Sequence, residues 1–384
     1  MKVPLHVVRD GVKWLMLPTK VLAQTVSAWP EDTNCFTITF NCFVLMSYFL
    51  FIYGNIYYIM RDDVGLSDAC IALSKLSLML ETTIRRIFNL YQKRRLLKVL
   101  NAVFHEFDAS DVEGPDVDLE LRKESKRLFI FCAFYIASAL ICGMQYISTT
   151  IMSGNVPMFT SLPYSINDNP LYFGIFYCWQ SFFIFEVAVH ICTTDIFFAC
   201  LLHNCIAQFK LLRVRMLNKF EAAPDKMLFV AKFVRQHQHL IEVCQELNSI
   251  FSFFILLQSI ILTGALCLSM FIATAIPELV VSAFTDVTGH LCLLLLYCYV
   301  GNELSIHALE LSDAVYLNGW HLCETDIPTM KAVAFMMVRC QKVVTVSAGG
   351  FGNLTLTNFM KTLKFAFSVY TLLNAMLEKQ KAAI

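Results

Sequence analysis

The chain is 384 residues long, 57% hydrophobic and only 16% charged, with a mean hydropathy of +0.59. A soluble domain carries about 25% charged residues, so this composition excludes an ordinary water-soluble domain and points to lipid as the solvent. Thirty basic and 30 acidic residues cancel, a balance that says little in a membrane protein, where the position of each charge decides. The 15 cysteines are scattered through apolar runs without a CxxC pair, and read as small hydrophobes rather than a disulfide framework or metal site.

The N-terminus offers no cleavable signal sequence. Basic residues and prolines come first, and the apolar run Cys35–Met60 is too long and too late for one. It reads as a first span entering from the cytoplasm. Only helices or closed barrels satisfy the backbone in hydrocarbon, and these runs far exceed the roughly 9 to 11 residues of a barrel strand. The prediction is an all-α integral membrane protein with seven spans, at 36–59, 67–90, 128–152, 171–202, 247–276, 282–304 and 351–377. Cys35–Met60, Leu128–Asn167 and Leu247–Pro277 carry no formal charge. Lys75 and Glu81 interrupt the second span, Glu186 and Asp195 the fourth, and Lys361 and Lys364 the last. Those helices need neighbours or water around them.

Basic residues set the orientation. With the N-terminus inside, 24 of the 30 lysines and arginines fall before the first span, between Arg85 and Arg127, between Lys210 and Arg235, and at Lys331, Arg339 and Lys342. The outer segment Ser153–Pro170 and the turn around Pro277 and Glu278 have none. This bias predicts a cytoplasmic N-terminus and, after seven spans, an extracellular C-terminus. G-protein-coupled receptors have the opposite orientation, and their DRY and NPxxY landmarks are absent.

The connecting segments also have content. Residues 91–127 open on the basic cluster Lys93-Arg94-Arg95, turn acidic at 106–120 and hold a Gly114-Pro115 turn. Residues 206–246 show helical apolar spacing through Phe209, Leu212, Met216 and Phe220, then Phe229, Phe233 and Leu240, divided by Pro224. The fourth, fifth and sixth helices are therefore expected to project below the bilayer. Residues 305–342 repeat the theme and end in a short helix starting near Pro328.

Enzymatic signals are weak. His237 and His239 form an HxH pair whose rings point to different helix faces. Glu186 and His190 lie one turn apart, with Asp195 further inward, so local pairing or a cavity competes with a proton relay. Asn353-Leu-Thr355 fits a glycosylation pattern but is expected on the cytoplasmic side. Two features are more informative. Ser347-Ala348-Gly349-Gly350 divides a short cytoplasmic helix from a last helix whose Leu356, Phe359, Leu363, Phe367, Tyr370, Leu373 and Leu377 form one apolar stripe, with Asn374 beside its outer end. If four such helices met around an axis, the stripe would form a hydrophobic constriction. In the outer halves of the second to sixth helices, Leu76, Leu80, Tyr146, Phe176, Tyr177, Gln180, Phe284, Thr288 and Leu291 are candidates to line an aromatic and apolar cavity suited to a small volatile molecule.

In the C-terminal quarter, Tyr299-Val-Gly-Asn302, Leu304, Ser312, Ala314-Val-Tyr316 and Trp320 are similar to the YxGN and S…AxY…W landmarks of the insect odorant receptors. Ser347-Ala-Gly-Gly-Phe351, Leu354, Leu356, Phe359, Leu363-Lys364 and Ser368-Val-Tyr-Thr-Leu-Leu373 resemble AGGFxxLxLxxF…LKxxxSxxTLL. The resemblance implies one subunit of a tetrameric, ligand-gated, nonselective cation channel that assembles with an obligate odorant co-receptor. It implies a volatile organic ligand, lipid surroundings, permeating Na⁺, K⁺ and Ca²⁺, and a place in the cell membrane of olfactory neuron dendrites. No cofactor, metal, nucleic acid or enzymatic activity is implied. It divides the chain into a cytoplasmic segment at 1–35, a ligand-binding bundle at 36–304, a cytoplasmic anchor at 305–350, a pore helix at 351–377 and an external tail at 378–384. Tyr299, Tyr316, Trp320, Gly349 and Gly350 fall in the anchor and hinge, and Tyr370, Leu373, Asn374 and Leu377 at the gate.

The compact link between the fourth and fifth helices resembles a tuning subunit, because the co-receptor is longer there. Gustatory receptors commonly end in TYxxxxQF; here Thr371 follows Tyr370 and the Gln-Phe pair is absent. A gustatory-type channel and a transporter built on Glu186, His190 and Asp195 are the alternatives.

Overall fold

The computed structural model describes residues 10–32, 34–61, 66–107, 113–153, 170–275, 280–321 and 327–382. The outer segment Ser153–Pro170, apart from its two end residues, and the turn around Pro277 and Glu278 lie outside them. The chain folds into α1 (Asp10–Thr25), α2 (Cys35–Ile59), α3 (Leu66–Tyr91), α4 (Lys93–Asn101), α5 (Pro115–Ser153), α6 (Pro170–Lys219), α7 (Lys226–Ala275), α8 (Val280–Leu317), α9 (Ile327–Cys340) and α10 (Leu356–Ala382). A π-helical turn, Ala102–Glu106, continues α4.

Local chemistry sets several ends. Pro115 and Pro170 occupy the first position of α5 and α6, where a missing N–H costs nothing. Asp116 and Asp118 favour the positive N-terminal end of α5, and Asp118 also pairs with Arg122 one turn on at 2.6 Å. Asp225 starts α7 by accepting the Leu228 N–H at 2.8 Å. Gly319, at φ +78°, follows the end of α8 in the left-handed conformation that closes helices.

Among the described residues, α2, α5, α6, α7 and α8 are long and apolar enough to cross a membrane. The second and seventh expected spans correspond to α3 and α10, whose internal charges keep them below that standard by composition alone. Helix α6 runs unbroken for 50 residues, and the break predicted at Pro224 falls between α6 and α7. The N-terminal segment contains a helix, α1, that is not among the elements expected from the sequence; it packs Met16 and Ala23 into the main core, while Trp29 just beyond meets Phe197 at 5.7 Å. One expectation needs correction. The last helix starts at Leu356 rather than 351, because 347–353 form a two-stranded hairpin, β1 (Ser347–Ala348) against β2 (Gly352–Asn353).

The main core lies where α6, α7 and α8 extend together with α1, α4 and α9, and includes Phe198, Phe209, Leu247, Phe251 and Leu304. A second cluster, Val44, Tyr48, Phe51, Met79 and Phe183, seals α2 and α3 against α6. Cysteines fill these interiors: Cys192, Cys200, Cys205 and Cys244 are buried thiols.

Candidate ligand cavity and buried ion-pair network

The charges that interrupt the apolar helices converge. Arg85 and Arg86 of α3 are 0% and 1% exposed, so these two members of the basic bias are interior residues rather than a flank facing headgroups. Arg85 donates to Glu81 through Nε at 3.1 Å and Nη2 at 2.8 Å, and to Asp195 of α6 through Nη1. Asp195 also accepts from Tyr297 of α8 at 2.5 Å and Tyr135 of α5 at 3.1 Å, while Gln258 of α7 donates to Glu81 at 2.8 Å. Arg86 pairs with Glu186 of α6, which also accepts from Tyr48 of α2, and donates to Asn41 at 2.6 Å. Helix α3 is thereby tied to α2, α5, α6, α7 and α8. A buried charge is tolerated only when paired and hydrogen-bonded, and these partners supply that.

The proposed relay set is thus divided. Glu186 and Asp195 are engaged by different arginines, and His190, 1% exposed, has both ring nitrogens unbonded among the described residues. His237 and His239 also diverge: His237 packs beside Phe209 and Cys340, while His239 meets Glu106 at 2.9 Å.

The nine cavity candidates spread around the outer bundle. Tyr177 of α6 donates to the Ile147 carbonyl of α5 at 2.7 Å, next to Tyr146, and lines a cavity of about 450 Å³ between those helices. Lys75 of α3 places its ammonium 3.2 Å from the centre of the Tyr146 ring, a cation–π contact. Phe176 meets Trp179 at 5.2 Å, Trp179 stacks on Phe51 of α2, and Gln180 is buried. Leu76 is half-buried and Leu80 is exposed. Phe284 is 70% exposed, Thr288 donates back to the Phe284 carbonyl at 2.8 Å, and Leu291 packs beside Leu266 and Ala366 towards α10. Sequence reasoning missed the polar side of this region, where Cys142 of α5 donates to Asp286 of α8 at 3.0 Å. An aspartate inside an apolar run was the available signal.

Helix α10 has one buried side chain among those described, Ala366, seated against Leu266 and Cys267 of α7. The expected stripe is split. Phe359, Leu363 and Tyr370 are half-buried, whereas Leu356 and Phe367 are 40% and 61% exposed, and Lys361 and Lys364 are exposed too. Asn374 is half-buried; the side chains of Leu373 and Leu377 lie outside the described residues.

The hinge is held by close approach. Gly349 and Gly350 have φ +58° and +79°, and a Cβ on Gly349 would lie 2.5 Å from Leu256. Gly349 N–H donates to the Ser252 carbonyl at 2.9 Å and Ser347 N–H to Asn248 at 2.8 Å. Gly301 lets α8 touch the chain at Leu354, where an added Cβ would come within 2.4 Å. Of the other anchor residues, Tyr299 and Tyr316 are exposed and Trp320 is half-buried.

The family model for the 7tm odorant receptors matches residues 66–367. The chain belongs to that family. Odorant receptor 85c of Drosophila melanogaster is 22% identical over 344 residues, 85% of this chain and 87% of the relative. Odorant receptor 94a of the same fly is 30% identical over 142 residues, 36% of each chain. The fold matches the insect olfactory receptor OR5 of Machilis hrabei in complex with eugenol, with a TM-score of 0.77 at 13% identity over 95% of this chain and 98% of that one. A second structure of the same receptor matches with a TM-score of 0.76 at 12% identity over 94% of this chain and 99% of that one. Odorant receptors of this family are multi-pass membrane proteins acting as odorant-gated channels rather than enzymes.

Proposed function

We propose that this odorant receptor is the odorant-tuning subunit of a heteromeric, ligand-gated, nonselective cation channel. The observation that carries the reading is α10: a helix of 27 residues with one seam on its own subunit and Phe365, Phe367 and Leu372 left exposed. Lipid would cover such a face, but so would the equivalent helices of other subunits. In this reading α3 and α10 complete seven spans, the N-terminus is cytoplasmic, and α10 helices of a tetramer with the co-receptor surround a pore for Na⁺, K⁺ and Ca²⁺ in the dendritic membrane of olfactory neurons. Leu373 and Leu377 form the constriction, with Tyr370 and Asn374 beside it.

The ligand is a small volatile organic molecule held in the outer bundle between α3, α5, α6 and α8. Tyr146 and Tyr177 offer aromatic surface there, and Lys75 and Asp286 add polar groups. Binding opens the pore only so far as the ligand favours the open packing of α7 and α8 against α10. The transporter alternative loses its central residues to the arginine pairs. Voltage-clamp recording of cells expressing the chain with an insect co-receptor tests the proposal. Odour-evoked cation currents are expected; none across a broad volatile panel, with both subunits verified at the surface, overturns it.

A further inference from the structure

One cavity shares no lining residue with the odorant-site candidates or the gate candidates. It has a volume of about 430 Å³ and lies between α5, α6 and α8, bordered by Arg127 and Phe131, by Lys210, and by Leu295, Tyr299 and Glu303. That volume is in the roughly 300–1,000 Å³ range of small-molecule sites. Three apolar runs end at its level: the third expected span begins at 128, the fourth ends at 202 and the sixth at 304. On α5 the charged lining precedes the apolar lining, and on the antiparallel α6 and α8 it follows, so the charges gather at one end and Phe131 and Leu295 at the other. The cavity straddles a membrane boundary, and Leu295 and Tyr299, 36% and 47% exposed, mark its open side.

The charges are of both signs. Lys210 donates to both oxygens of Glu124 at 2.5 Å, and Glu303 faces His307 at 3.4 Å. Arg127, exposed beside the cavity, has no carboxylate within ion-pair distance among the described residues. Two cations and two carboxylates suit a dipolar guest better than an anion, which Glu124 and Glu303 would repel. The apolar wall suits a guest with a hydrocarbon chain better than a free ion.

We propose that this cavity binds the headgroup of a zwitterionic aminophospholipid, with its phosphate against Arg127 and Lys210, its ammonium against Glu303 and one acyl chain along Phe131 and Leu295. Charged groups lining a pocket between membrane helices at headgroup depth hold lipid headgroups by charge and hydrogen bonding together. A primary ammonium donates hydrogen bonds to a carboxylate, whereas a trimethylated one does not, so phosphatidylethanolamine is favoured over phosphatidylcholine. The proposal rests on the membrane placement of α5, α6 and α8 and not on the identity of the odorant.

The test uses the full chain with its co-receptor in nanodiscs doped with a photoactivatable phosphatidylethanolamine, and maps the cross-linked peptides. Labelling is expected to concentrate on 124–131 and 295–303, several-fold above the lipid-exposed face of α2. Unlabelled phosphatidylethanolamine should compete better than phosphatidylcholine or phosphatidylglycerol. Arg127→Gln and the cavity-filling Leu295→Trp should each cut labelling several-fold, and Arg127→Lys should retain it. Uniform labelling of all exposed helices, labelling unchanged in both loss variants, or stronger competition by phosphatidylglycerol overturns the proposal. Competition by soluble phosphoethanolamine as effective as by the lipid does the same. Labelling is read without odorant, so a chain that gives no odour-evoked current still decides the question.

Discussion

Replacing Arg85 by Met should damage the bundle more than removing its whole charge cluster. Arg85 is 0% exposed and lies between two carboxylates, Glu81 and Asp195, so the wild-type set of three already carries one excess negative charge. Met leaves two buried carboxylates facing each other without a cation. Breaking a buried pair from one side costs about 3–5 kcal/mol, a factor on the order of 10² to 10⁴ in the folded population. The triple variant Glu81→Gln, Arg85→Met, Asp195→Asn removes all three charges; the new Gln carbonyl still accepts from Gln258, and the new Asn amide accepts from one of Tyr135 and Tyr297 while donating to the hydroxyl oxygen of the other. It should therefore recover much of the loss. Fluorescence-detected size-exclusion chromatography after heating measures the monodisperse fraction of each variant. The expected order is wild type, then the triple variant, then Arg85→Met. If Arg85→Met melts with wild type, or the triple variant is the least stable, the cluster is not an interdependent set of charges.

Three further outcomes are expected. Gly349→Ala combines a left-handed backbone, worth about 1–2 kcal/mol, with a contact 2.5 Å from Leu256, whereas Gly350→Ala meets nothing within 4 Å; surface biotinylation should show the larger loss for Gly349→Ala. Gly301→Ala should weaken or abolish odour-evoked current by forcing α8 off Leu354, and a normal dose response from surface-delivered channels would refute that role for the contact. Burial pushes the Glu113 carboxyl up, but hydrogen bonds from Lys219 and Arg215 outweigh it and hold it below the usual carboxylate range. Its contribution to stability is therefore complete above the unfolded carboxylate pKa and is lost as pH falls through the lower folded value. Glu113→Gln should lower thermal stability at neutral pH, with the difference from wild type narrowing in acid.

The apolar runs made α2, α5 and α7 legible, because a charge-free stretch longer than 20 residues has few other uses. Helical spacing likewise revealed that α6 and α7 continue beyond their membrane parts. The placement of α3 was harder: Glu81 and Arg85 share a helix face in the sequence, but Asp195 and Glu186 lie 110 and 100 residues beyond their arginines, and one sequence carries no sign of that pairing. Cavity residues suffered from rotation. A helix turns by about 100° per residue, so Phe284 at 70% exposure and Gln180 in the interior were equally plausible until packing fixed each face. The SAGG segment announced a break, yet the hairpin depends on Asn248 and Ser252 of a distant helix.

The arginine pairs bear on how the chain is made. Arg85 and Arg86 leave the ribosome about a hundred residues before Asp195 and Glu186, which neutralise them. Until α6 emerges, α3 would carry Arg86 uncompensated, and Arg85 paired only with Glu81 of its own helix, into hydrocarbon, where each charge is costly. In the proposed seven-span topology α3 is therefore expected to wait in the translocation machinery or at the membrane surface for a later segment, so that the bundle assembles in an order different from that of synthesis. Truncation before residue 186 should leave α3 accessible to aqueous thiol reagents from a cysteine placed in it, and extension past residue 195 should protect it.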